Sequence, residues 1–89
     1  MKELYLEVTF RRGRPMAAYL YLPRQADEKS SSTKRVKPGM VIDFGPRGNP
    51  IGIEITAPSQ ISLAAINDLL EKLGLPPVAK ADLAPLLAA

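Results

Sequence analysis

From Leu4 to Phe10 the chain alternates. Leu4, Leu6, Val8 and Phe10 fall on one side, and Tyr5, Glu7 and Thr9 on the other. A period of two built from β-branched and aromatic residues predicts a half-buried strand. RRGRP follows, with Gly13 free to take a positive φ. MAAYLYL (16–22) then resumes the alternation, with Met16, Ala18, Leu20 and Leu22 inward and Ala17, Tyr19 and Tyr21 outward. The two strands form a hairpin. Matching their apolar faces sets Val8 opposite Ala18, Leu6 opposite Leu20 and Leu4 opposite Leu22. On the other face Tyr5 meets Tyr21 and Glu7 meets Tyr19. A one-residue slip would turn the core side chains to water, so this register is tightly specified.

Pro23 ends the second strand. Residues 24–37 are charged and serine-rich, and are expected to form a long, mobile polar loop with at most a short extended piece near Val36. MVIDF (40–44) and IGIEIT (51–56) make a second hairpin around GPRGNP. Pro46 suits position i+1 of the turn, and Gly48 supplies a left-handed residue. Met40, Ile42, Phe44, Ile51, Ile53 and Ile55 point inward, and the expected pairs are Ile42 with Ile51 and Met40 with Ile53. Ser62, or Ser59, can cap a helix whose apolar stripe is Leu63, Ile66, Leu69, Leu70 and Leu73. Gly74, Pro76 and Pro77 stop it. Residues 75–89 form a Pro/Leu-rich tail with a short helical turn.

The order β-β-β-β-α predicts one small α+β domain over residues 1–89. Its four-stranded, mainly antiparallel sheet consists of two hairpins, covered on one face by the C-terminal amphipathic helix, with a short helical tail. One helix over four strands leaves apolar surface for the tail or a second subunit to cover.

Composition narrows the chemistry more than the fold. The 89 residues include no His and no Cys, which removes imidazole and thiolate metal sites, Ser-His-Asp and Cys-His catalysis, and disulfides. No cofactor, metal or catalytic group is expected. No apolar run approaches the roughly 18 residues of a membrane span, and Glu3 and Glu7 interrupt the apolar N-terminus, so no signal peptide and a cytoplasmic location are expected. The net charge of +3 is uneven. Residues 1–48 carry ten Lys/Arg against five Asp/Glu, and residues 49–89 two against four.

MAAYLYL and GMVIDFGPRGNPIGIEI resemble a family of small uncharacterised bacterial domains. Its members read like ADALYIRL, a variable loop, then GVIVDYDEDGRLVGIEI and a helix. The matching positions are Ala18, Tyr19, Leu20, Val41, Asp43, Gly48, Gly52, Ile53, Glu54 and Ile55, and the resemblance covers about half of the chain. Three departures stand out. Met16 replaces an acid, the acidic turn is GPRG here, and the 24–37 loop is longer and more basic. The resemblance implies the fold and no established activity.

Five features are candidates for function. Asp43 and Glu54 both face outward, but the expected pairing offsets them by four residues, about 13 Å, too far to cooperate. GPRGNP leads into a strand and lacks the Lys-Ser/Thr pair of a phosphate loop, so it reads as a hairpin turn. The basic residues split into Arg11, Arg12, Arg14 and Arg47 on turns at one end of the sheet and loop lysines at the other. That division is weaker than one basic face as a nucleic-acid footprint. The outer face gathers Tyr5, Tyr19 and Tyr21 beside Val41. Such a cluster serves a protein interface, cross-strand pairing or base stacking. Leu83, Leu86 and Leu87 of the tail are a second possible interface. The leading expectation is a non-enzymatic protein-interaction or self-association module, as a homodimer or with a protein partner. The alternative is a nucleic-acid-binding, regulatory protein of toxin–antitoxin type.

Overall fold

The computed structural model describes residues 4–23, 29–37 and 39–87, without the side chains of Lys37 and Leu87. Five strands form one antiparallel sheet: β1 (Tyr5–Arg11), β2 (Arg14–Tyr21), β3 (Ser32–Lys37), β4 (Met40–Phe44) and β5 (Pro50–Ile55). Their order across the sheet is β1-β2-β5-β4-β3. The four-stranded expectation is therefore corrected. The second half of the polar 24–37 stretch is a strand; of the rest of the expected mobile loop, Lys29–Ser31 are described and residues 24–28 lie outside the described residues. β3 reads Ser-Thr-Lys-Arg-Val-Lys because it is an edge strand, where charged side chains discourage further pairing. β2 and β3 lie three strand spacings apart, about 14 Å, with β5 and β4 between them.

The β1–β2 register is the expected one, including Tyr5 with Tyr21, Leu6 with Leu20, Glu7 with Tyr19 and Val8 with Ala18. Its two-residue turn has positive φ at both Arg12 (54°) and Gly13 (77°), the combination whose twist suits a tight hairpin. Near the turn the register shifts, pairing Phe10 with Pro15 and leaving Met16 as an extra residue. Phe10 and Met16, both expected inward, are consequently 52% and 47% exposed.

The β4–β5 register differs from expectation by two residues. Ile42 pairs with Ile53 and Met40 with Ile55. The turn uses all of Gly45–Asn49, closed by Gly48 N–H to Gly45 O (3.0 Å) and Gly45 N–H to Asn49 O (2.8 Å). Ile51 is bulged between the Asp43–Gly52 and Phe44–Pro50 pairs. One extra turn residue and one bulge together preserve parity, so every side chain keeps its expected face.

The cover of the inner face is divided, which corrects the single covering helix. α1 (Leu63–Lys72) is ten residues and α2 (Ala84–Leu87) four, with 3-10 turns at Pro58–Gln60 and Lys80–Leu83. Ser62 caps α1, its hydroxyl accepting from Ala65 N–H at 3.1 Å. Gly74 (φ 76°) ends it, with Gly74 N–H bonded to Glu71 O and Leu75 N–H to Leu70 O, the paired closure that satisfies a helix's last carbonyls. Ile66, Leu69 and Leu70 of α1 share one buried cluster with Leu20, Leu22, Met40, Ile42, Ile53 and Ile55 of the sheet and with Val78, Leu83 and Leu86 of the tail. The tail is pinned by the Asn67 side chain, which accepts from Val78 N–H (2.8 Å) and donates to Val78 O (3.1 Å). Asn67 thus stands in for a backbone partner that the extended segment lacks.

Candidate functional site

The strand pairings lay two rows of outward positions across the sheet. One runs Tyr5, Tyr21, Gly52, Asp43, Thr33, and the next Glu7, Tyr19, Glu54, Val41, Arg35. Tyr19 belongs to the second row but reaches diagonally into the first. Its phenol donates to Asp43 Oδ2 at 2.7 Å, two strands away. The ring can take that path only because residue 52 is glycine, since a Cβ there would overlap the Tyr19 phenol. Gly52 is needed for close approach rather than for an unusual backbone angle.

The remaining tyrosines lean on this bridge. Tyr21 packs edge-on against Tyr19, centroids 4.6 Å apart, and tilts against Tyr5 at 5.6 Å. Its phenol donates to Glu7 Oε1 at 3.2 Å. Tyr19, Tyr21, Val41 and Asp43 are half-buried, whereas Tyr5 is 53% exposed. The result is a locked aromatic surface with a carboxylate set into it.

The observed register also revises the acids. Asp43 lies opposite Gly52 and Glu54 opposite Val41, an offset of two residues, about 7 Å rather than 13 Å. They still do not form a working pair, because Asp43 is engaged by Tyr19 while Glu54 stands exposed. Among the described residues no group of three or more His, Cys, Asp or Glu could hold a metal ion, and no helix is long and apolar enough to cross a membrane.

Of the positions that carry the family resemblance, Tyr19, Asp43, Gly52 and Glu54 come from three strands and meet on one face, while Gly48 lies in the β4–β5 turn. Residues 17–58 match the family model DUF2283, a protein of unknown function. The DUF2283 segment runs from the middle of β2 to just past β5, so it contains the whole Tyr19–Gly52–Asp43 bridge and excludes β1 and both helices. Comparison with the curated proteins and with the solved structures finds no match.

The other expected site residues are placed differently. Leu83 and Leu86 are buried in the chain's own core, which leaves them no surface to offer a partner. The side chain of Leu87 lies outside the described residues. Arg11, Arg12 and Arg14 share the β1–β2 hairpin tip, but Arg47 is at the opposite end of the sheet, because β3 reverses the direction of every later strand. A cleft of about 250 Å³ between β3 and α1 was not foreseen. Val36, Met40 and Leu69 line it together with Lys34, Arg35 and Lys72. Only recognition of β3 as a strand would have brought Lys34 and Arg35 beside the helix.

Proposed function

We propose that the protein is a non-enzymatic self-association module, and that two copies meet through the outer face of the sheet. The observation that carries this reading is the locked aromatic surface on the face that the helices leave uncovered. Rigid tyrosines bury much area at little cost in conformational entropy, which is why they are enriched in protein interfaces. A sequence without His or Cys also has few groups with which to run chemistry.

The second row favours a copy of the same chain as partner. It is acidic at Glu7 on one edge and basic at Arg35 on the other. A two-fold axis along β5 sets Glu7 across from Arg35 of the second copy and Tyr19 across from its Val41. Two-fold contacts need this kind of self-complementarity. Glu54, near the axis, meets its own counterpart, and like charges in opposition weaken the contact.

Sedimentation velocity over a concentration series tests the reading. Wild type should dimerise, Arg35→Glu should shift it toward monomer, and adding Glu7→Arg should restore the dimer. Glu54→Gln should tighten it. A chain that stays monomeric at the highest attainable concentration would sink self-association and leave the same face to a different protein.

A further inference from the structure

The pairing of β2 with β5 begins only at Ala18 with Ile55. Residues Arg14–Ala17 of β2 and their partners on β1 therefore run on as a two-stranded ribbon past the end of β5. Because Met16 is bulged, the three steps paired with Thr9, Phe10 and Arg11 carry it roughly 10 Å at about 3.3 Å each. The 3-10 turn at Pro58–Gln60 packs beside β2, while the tip beyond it is exposed throughout from Thr9 to Arg14.

Three features of the tip go beyond an ordinary solvated turn. Arg11, Arg12 and Arg14 surround an open concavity of about 610 Å³ completed by Pro15 and Met16, with no carboxylate among the described residues of the lining. The sequence holds no acid from Val8 to Ala26. Arg12 occupies a left-handed position (φ 54°), where glycine or asparagine sits at lower cost. A side chain kept at a conformationally costly position is a pointer to use. Finally, Phe10 and Met16 expose apolar surface beside the arginines.

We infer that this ribbon is a nucleic-acid-contacting arm. Its three guanidinium groups bond backbone phosphates, and Phe10 and Met16 rest against the groove wall. A two-stranded ribbon fits the roughly 12 Å major groove of a duplex. Guanidinium presents paired donors that match phosphate oxygens. The arm lies at the end of the sheet, apart from the face assigned to self-association, so either assignment can fail without the other.

Fluorescence anisotropy with a labelled short DNA duplex and the full chain is the test. With three phosphates engaged, the log–log salt slope should be about −2.7, so affinity should fall about 40-fold between about 50 and 200 mM salt. Replacing Arg11→Gln, Arg12→Asn and Arg14→Gln together should abolish binding, with the thermal unfolding midpoint held or raised. Arg47→Gln, at the far end of the sheet, should bind like the wild type. The arm is overturned if the duplex is not bound at the lower salt, or if Arg47→Gln loses as much as the triple variant. It is also overturned if anionic phospholipid vesicles are bound and the duplex is not, since the tip would then serve a lipid surface.

Discussion

Alternate residues of the same strands build two unlike surfaces. On the inner face Ala18, Leu20, Ile42, Ile53 and Ile55 make contacts without direction, held by the area they remove from water. On the outer face Tyr19, Asp43, Gly52, Tyr21 and Glu7 are joined by directed bonds and ring contacts. The inner face accepts many apolar side chains of the right volume. The outer face depends on one residue having no side chain at all. Stability and specific geometry have thus been separated onto opposite sides of one sheet.

That separation can be broken from either side. The largest effect belongs to the core. Leu83→Ala empties a fully buried position and should cost about 2–5 kcal/mol in urea unfolding, while leaving the outer-face tyrosines packed as before. Gly52→Ala comes next, at about 1–3 kcal/mol for forcing a methyl into occupied space. Most of that loss should vanish when Tyr19 is already alanine. Simple additivity of the two substitutions would mean that the glycine is not there for the ring. Tyr19→Phe, which keeps the ring and removes the bond to Asp43, should be mildest, about 1 kcal/mol for a half-buried pair. Its loss should disappear when Asp43 is already alanine, in an Asp43→Ala, Tyr19→Phe double-mutant cycle, if the two groups act only through each other.

The two faces were unequally legible in the sequence. Alternation located β1 and β2 and their pairing from Tyr5–Tyr21 to Val8–Ala18, because matching the apolar faces fixes the register, while the bulge at Met16 beside the turn went unforeseen. In β4 and β5 the same alternation assigned the faces, but Gly45–Asn49 and the bulge at Ile51 displaced the register without any apolar side chain changing sides. β3 was hidden because an edge strand need not be apolar. Missing it also put Arg47 at the wrong end, while the displaced β4–β5 register misjudged the spacing of Asp43 and Glu54. The tail leucines were recognised as apolar, yet whether they face a partner or the core depends on Asn67 holding Val78, which no periodicity encodes. The three tyrosines were legible as a cluster. Their bridge to Asp43 was not, since it requires β5 to lie between β2 and β4.

That central placement of β5 also governs how the sheet can come into being. A chain emerging in sequence order completes the β1–β2 ribbon and then the β3–β4 ribbon, each closed by a short local turn. Neither can join the other until residues 50–55 arrive between them. The pairing of β2 with β5 spans more than thirty residues of chain, so its loop-closure cost falls on the last step of sheet assembly rather than the first. Up to Phe44, synthesis yields two separate ribbons, each with an unclaimed edge. The strand that claims both edges at once also carries the glycine over which Tyr19 passes, so fusion of the sheet and completion of its outer surface are the same event.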